Sequence, residues 1–225
     1  MAIAPTQRDL ALIRFIASRR SALLSDVKER YYATNPFDDE PNADPEKACR
    51  RRLGALARAG YVRLGFDFDG RVRRRVVTLG PASESITGVS SHRRIPARNR
   101  AHHIRTQEAI TLLERIVAAG GGRVVDVRFE HDVRAQDFAG RRTRRGDRMP
   151  AAPDAVLQAE LRAGDGSHRV VDLAIEYVTG KYTDADIVAK HRSFKRFDGA
   201  YWFADNARTA ERVLRLTGAS CTTLC

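Results

Sequence analysis

The chain has 225 residues, with 40 Lys or Arg against 28 Asp or Glu, giving a formal net charge of +12. That length serves one large domain or two small ones with a real hydrophobic core, and a content of 43% hydrophobic and 30% charged residues excludes wholesale disorder. No apolar run approaches the roughly 18 residues of a membrane helix, the N-terminus has no signal-peptide core, and Cys49, Cys221 and Cys225 form no CxxC pair. A membrane span, a disulfide framework and a zinc ribbon are therefore not expected, and the expected location is the cytoplasm.

The charge is unevenly distributed along the chain. Residues 1–80 carry 16 basic and 10 acidic side chains, residues 81–150 carry 14 and 8, and residues 151–225 carry 10 and 10. Clustered basic charge suits a polyanion, because phosphate neutralisation releases condensed counterions. Arg supplies 35 of the 40 basic residues, and its planar fork matches phosphates and guanine edges. A GC-rich coding sequence would produce the same Arg bias, but it does not explain why the excess ends near residue 150.

From the N-terminus, Pro5 to Arg8 opens a helix carrying Leu10, Ile13, Phe15 and Ile16 at helical spacing, which ends at Ser18 to Arg20. A second helix is expected from Ser21 to Tyr31, then a loop from Asn35 to Pro45. Asp44-Pro45-Glu46 reads as a helix start, and a third helix runs to Gly60, with Cys49, Leu53 and Leu56 as its apolar stripe. Its other faces hold Lys47, Arg50, Arg51, Arg52 and Arg58. Two β-rich runs, Tyr61–Leu64 and Arg75–Leu79, are joined through Asp69-Gly70, a hairpin signal.

Three helices followed by a basic hairpin resemble a winged helix-turn-helix, expected over residues 5–80. The resemblance implies duplex DNA as partner, with the third helix in the major groove and Arg71, Arg73, Arg74 and Arg75 reaching phosphates or the minor groove. The alternative is a solvated basic helix and hairpin that contacts protein. Nine basic and two acidic residues between Arg50 and Arg75 favour DNA.

Residues 81–96 read as a linker, and residues 97–225 as a second domain. It opens with a long helix, Ala97 to Ala119, and a strand, Arg123 to Glu130. A polar segment follows from Asp137 to Met149, with Arg141, Arg142, Arg144, Arg145 and Arg148, which is either solvated or laid on nucleic acid. Asp154 starts a second strand and Glu176 stands near the end of a third, Val170 to Tyr177. A helix from Thr183 to Phe197 contains Lys190 and Lys195, before a strand, Ala200 to Ala204, and a last helix, Ala207 to Leu216. Trp202 and Phe203 are expected to pack the core, and Cys221 and Cys225 to lie near a ragged terminus.

This order, αβββαβα, resembles the PD-(D/E)xK nuclease fold, so the expected class is α/β (α+β) with a winged helix-turn-helix ahead of it. Pro153-Asp154 stands for "PD" and Glu176 for "(D/E)", while the Lys expected two residues later is Val178. The resemblance implies Asp154 and Glu176 as ligands of Mg²⁺ if the site is active, with Lys190 or Lys181 replacing the displaced Lys. Glu108 is a candidate third carboxylate.

The whole chain is similar to the replication-relaxation family, bacterial proteins that pair a winged helix-turn-helix with a divergent nuclease-like domain. His103, Pro153-Asp154, Ile175-Glu176 and Lys190 carry that similarity, over roughly residues 5–205, whereas Tyr177 stands where the family tends to have an acid. It implies an accessory or regulatory role in plasmid or mobile-element replication, relaxation or mobilisation. The partners so implied are double-stranded DNA, other replication or mobilisation proteins and, in some winged helices, a second copy. A Mg²⁺-dependent endonuclease targeted by the winged helix is the alternative, and a protein-interaction module with a basic surface a third.

Overall fold

A computed structural model describes residues 3–34, 41–69, 72–90, 95–96, 99–138, 151–164 and 166–224. The chain is a mixed α and β protein that divides into two compact units, Met1–Ile104 and Arg105–Cys225. No helix among the described residues is long and apolar enough to cross a membrane.

In the first unit, α1 (Gln7–Arg19) starts at a reciprocal cap. The Asp9 backbone N–H donates to Thr6 Oγ1 at 3.3 Å while the Thr6 N–H donates to Asp9 Oδ2 at 2.7 Å. Leu12, Ile13 and Ile16 form its buried stripe. Arg20 ends the helix in the left-handed region (φ 63°), and the chain continues into a short strand, β1 (Ser21–Leu23). The second helix therefore begins later than its apolar spacing suggests, as α2 (Leu24–Tyr32). Three residues carry too little periodicity to separate strand from helix, and pairing with β3 decides the matter.

α3 (Pro45–Arg58) starts as the sequence predicts, with the Asp44 side chain accepting the Lys47 N–H at 2.8 Å. It ends with Gly60 at φ +79°, where Gly60 N–H donates to the Ala57 carbonyl and Tyr61 N–H to the Leu56 carbonyl, each at 3.0 Å. Cys49, Leu53 and Leu56 are buried as expected, and each leucine contributes about 2 kcal/mol by leaving water. β2 (Val62–Asp69) and β3 (Val72–Leu79) form an antiparallel hairpin, paired from Val62–Leu79 to Asp69–Val72. The sheet order is β1-β3-β2.

The stretch expected as a linker from residue 81 belongs in part to this unit. A Cβ at Gly80 would lie 2.1 Å from the Gly60 carbonyl oxygen, so the chain hugs the end of α3 there. A 3-10 turn (Pro81–Ser83) and α4 (Glu84–Thr87) follow, with Ser83 buried and Ile86 and Val89 packed on the first core. The next helix, α5, is described over Arg100–Ala119, the expected start at Ala97 lying outside the described residues, and the division between units falls inside it. His103 near its start donates from Nε2 to the Arg19 carbonyl at 3.1 Å. Burial lowers its pKa to about 4 against the opposing effect of that hydrogen bond, with Arg20 nearby adding to the depression.

One ion pair ties α1 to α3. Arg52 Nε lies 3.0 Å and 3.2 Å from the two Asp9 carboxylate oxygens, and its terminal nitrogen also bonds Oδ2. Asp9 is 1% exposed. Burial would raise its pKa, but Arg52 and Thr6 more than offset this and hold it below the usual carboxylate value.

The second unit contains the rest of α5, β4 (Arg123–Phe129), α6 (Glu130–Phe138), β5 (Ala155–Arg162), β6 (His168–Val178), α7 (Asp184–Phe194), β7 (Gly199–Ala204), α8 (Ala207–Thr217) and β8 (Cys221–Thr223). The sheet order follows the chain, β4-β5-β6-β7-β8; the first two pairings are antiparallel and the last two parallel. Two elements lie outside the predicted order. α6 fills the stretch between β4 and the polar segment, and β8 brings Cys221 beside Trp202 instead of leaving it in a loose terminus. Both are too short to show a period of their own. Arg141, Arg142, Arg144, Arg145, Arg148 and Cys225 lie outside the described residues.

Strand alternation sorts β6 between two cores. Leu173, Ile175 and Tyr177 pack with Ile110, Leu113 and Val117 of α5, whereas Ala174 and Val178 pack with Ile187 and Phe194 of α7. Trp202 and Phe203 are buried in these two cores, as expected. Glu176, between Ala174 and Val178 in the alternation, therefore faces α7.

Two stability measurements test the first unit. Arg52→Ala strands a buried carboxylate and should cost about 3 kcal/mol in urea unfolding, whereas Arg50→Ala, at a 73% exposed side chain, should leave the midpoint nearly unchanged. His103 is neutral in the folded state down to about pH 4 but binds a proton near its ordinary 6.5 when unfolded. The unfolded chain thus takes up the extra proton, so stability should fall as pH drops from about 6.5 to about 4. His103→Gln should flatten that part of the profile.

Candidate functional site

Helical geometry places Lys47, Arg50, Arg51, Gly54 and Arg58 on one stripe, at spacings of three, four, seven and eleven from Lys47. It lies opposite the buried Cys49, Leu53 and Leu56, and its four basic side chains are exposed. Arg50 also approaches Glu46 at 3.4 Å, as does Lys28 from α2. Of the five basic positions singled out on this helix, Arg52 is the exception, since it is turned inward and committed to Asp9.

On the hairpin, residues paired across the strands share a face. Phe66 pairs with Arg75, and Phe68 with Arg73. The Arg73 guanidinium carbon lies 3.6 Å from the Phe66 ring centroid and that of Arg75 5.9 Å, a cation–π arrangement. Arg74 points to the other face, opposite Asp67, and is half-buried. Arg71 lies outside the described residues.

Leu64, Phe66 and Phe68 are 51%, 44% and 60% exposed, an apolar row that sequence reasoning overlooked although its period of two is visible. Between this row and α3 lies a groove of about 420 Å³. Leu24, Cys49 and Leu53 line it together with Phe66, and Arg50 and Arg75 reach it from the helix and the hairpin. Burial pushes the Cys49 thiol up to about 11, so it lines the groove as an uncharged group.

The second unit brings Asp154, Glu176 and Lys190 together. Asp154 just precedes β5, Glu176 is near the end of β6 and Lys190 lies on α7. The Lys190 ammonium bonds Glu176 Oε1 and stands 4.0 Å from Asp154 Oδ1. Tyr177 N–H donates to Asp154 Oδ2 at 2.8 Å, and Asp154 N–H to Glu176 Oε2 at 3.3 Å. Glu176 is fully buried and Asp154 is 7% exposed.

The position where the resemblance expects Lys is Val178, which is buried in the α7 core, and Lys181 is exposed. Lys190 therefore supplies the ammonium. Burial works against its charge, but Glu176, Asp154 and Glu130 more than offset this and raise its pKa. Tyr182 was not singled out from the sequence. Its ring centroid lies 5.2 Å from the Lys190 ammonium. Burial and the carboxylates of Asp154 and Glu176 raise its pKa, so it remains neutral.

Glu108 pairs with Arg105 at 2.8 Å on its own helix. Glu130 stands beside the cluster, with its N–H donating to the Asp154 carbonyl at 2.9 Å and its carboxylate holding Arg134. A glutamate at a strand-to-helix junction was its only signal in the sequence.

Mg²⁺ requires a near-octahedral oxygen shell and keeps several waters. Here three of the four carboxylate oxygens of Asp154 and Glu176 accept hydrogen bonds from within the protein. Among the described residues no group of three or more His, Cys, Asp or Glu is arranged to hold a metal ion. The cluster as arranged fits an internal ammonium better than a divalent metal. Comparison of the chain with protein-family models, with curated proteins and with solved structures finds no match.

A paired substitution tests the neutralising role of Lys190. Lys190→Met should destabilise the protein by about 3 kcal/mol or more, because it leaves buried carboxylates uncompensated. Adding Glu176→Gln should recover much of that loss, and thermal unfolding of the two single variants and the double variant measures the coupling.

Proposed function

We propose that the protein binds duplex DNA through the α3 stripe and the β2–β3 hairpin. It would act as an accessory or regulatory factor, in the replication, relaxation or mobilisation of a plasmid or mobile element. The observation that carries the binding claim is the alignment of Lys47, Arg50, Arg51 and Arg58 on the exposed side of one buried-stripe helix, in the same unit as Arg73 and Arg75. A helix fits the major groove, and a basic side chain beside it gains affinity from each phosphate it neutralises.

The order α1-β1-α2-α3-β2-β3 and the sheet order β1-β3-β2 support the winged helix-turn-helix reading. Gly54 supports it further. A Cβ there would meet nothing nearer than Arg58 Nη1 at 3.8 Å, so internal packing among the described residues does not call for glycine. A helix-interior glycine costs about 1 kcal/mol relative to alanine. A bare backbone in the middle of a basic stripe lets a DNA surface approach closely.

For the second unit, the Asp154, Glu176 and Lys190 arrangement supports a nuclease-like body whose catalytic cluster has closed around its own lysine. The convergence of two carboxylates and an ammonium within 4.0 Å is the observation that favours the second reading, a Mg²⁺-dependent endonuclease. The poor fit of the donor set to Mg²⁺ places that reading behind the first.

Combining Lys47→Ala with Arg51→Ala should weaken duplex binding and reduce the slope of log affinity against log salt by about 2, at about 0.9 per phosphate contact. An unchanged slope would remove α3 from the interface. Gly54→Ala should raise the unfolding free energy by about 1 kcal/mol while weakening DNA binding. Incubation of the protein with supercoiled plasmid and Mg²⁺ or Mn²⁺ should give no nicking beyond that of an Asp154→Ala control; excess nicking by the native protein would favour the endonuclease.

A further inference from the structure

We propose that the groove between α3 and the β2–β3 hairpin holds an unpaired nucleobase of a DNA strand, stacked on Phe66. This rests on the DNA-binding reading above but adds a second binding mode to it, for extruded or single-stranded bases rather than intact duplex.

Val62, Leu64, Phe66 and Phe68 occupy alternate positions of β2 and so share one face, with Leu79, Val77, Arg75 and Arg73 opposite them. At the base of the hairpin this face is core, where Val62, Val77 and Leu79 are buried. Beyond the core it continues as Leu64, Phe66 and Phe68, and the cross-strand partners change from Val77 to Arg75 and Arg73. Exposed apolar surface of this kind marks a binding surface. Aromatics interleaved with arginines on a strand pair have the composition of a base-stacking platform.

Charge complementarity identifies the occupant. The groove is apolar below, at Leu24, Cys49 and Leu53, and carries Arg50 and Arg75 at its sides. Glu46 also lines the groove, and its carboxylate is engaged by Lys28 and Arg50. A flat apolar body bearing an anionic group matches this lining, and a nucleotide has that form. A partner's apolar side chain would account for the floor but not for the guanidinium groups.

Dimensions agree. The groove, at about 420 Å³, is of ligand-pocket size. The Arg73 guanidinium, 3.6 Å from the Phe66 centroid, orders that ring before any base arrives. The floor presents no charged group, so stacking would be tolerant of base identity.

The test uses the full chain and fluorescence anisotropy with a labelled oligothymidylate and, separately, a labelled duplex. Phe66→Ala should weaken single-strand binding by about 5- to 150-fold, the range for loss of one stacking contact, and weaken duplex binding far less, through the loss of the ring on which Arg73 rests. Phe66→Trp should retain single-strand affinity, and its fluorescence should be quenched by the strand, while the native protein's Trp202, 1% exposed, supplies an unquenched background. The Lys47→Ala, Arg51→Ala variant should show the opposite bias and lose mainly duplex binding.

Unchanged single-strand affinity in Phe66→Ala, or an unquenched Trp at position 66, overturns the base site while leaving duplex binding intact. Equal affinity for oligouridylate overturns its assignment to DNA. A dimer that Phe66→Ala dissociates without affecting strand affinity shows the groove to be an interface between copies and overturns the proposal. Loss of duplex binding with retained, Phe66-dependent strand binding overturns the duplex reading alone, and failure to bind either form overturns both.

Discussion

A carboxylate cannot remain ionised out of water without a cation beside it, and the first unit is arranged around that constraint at Asp9. Asp9 completes the cap of α1, and the cap draws its side chain into the junction with α3. Arg52 must then face α1, and on a helix that choice fixes every other residue. Cys49, Leu53 and Leu56 turn into the core beside Arg52, while Lys47, Arg50, Arg51 and Arg58 turn to solvent. The rotation of the basic helix thus follows from one ion pair and three apolar side chains, and the exposed stripe is what remains after they are satisfied.

The same constraint organises the second unit with a different outcome. Glu176 sits in an apolar strand between Ala174 and Val178, on the face covered by α7. Its neutralising cation has to come from that helix, and Lys190 supplies it, while the Asp154 N–H donates to the other carboxylate oxygen. Buried ion pairs of this kind seldom add stability over an apolar core, although removing one partner is costly. The unit therefore holds a costly polar cluster where hydrophobic residues would serve.

Much of this architecture was legible in the sequence, for physical reasons. The third helix announces itself through Asp44-Pro45, a regular apolar stripe and Gly60, all of which act locally. The hairpin announces itself through β-rich runs and Asp69-Gly70. Asp154 and Glu176 stand out because charge at the margins of apolar strands is costly. Less legible were segments whose state depends on distant partners. Ser21–Leu23 is a strand only because β3 lies beside it, and the segment after Gly80 joins the first core only because that glycine lets it pass the end of α3. The part played by Glu130 and the exposure of Phe66 and Phe68 were likewise invisible, since burial is a property of the surroundings rather than of the residue.

The sequence by itself determined the mixed α and β composition, the basic helix with its caps, the paired acids and the concentration of positive charge before residue 151. These depend on period, local hydrogen bonding and net charge, which act over a few residues. Only the tertiary structure decided that Arg52 is a structural cation and not part of the exposed stripe. It alone selected Lys190 over Lys181 and left an aromatic row uncovered beside two arginines. Each of these outcomes turns on which side chains from remote segments share one desolvated space, where a charge must find its partner or stay outside.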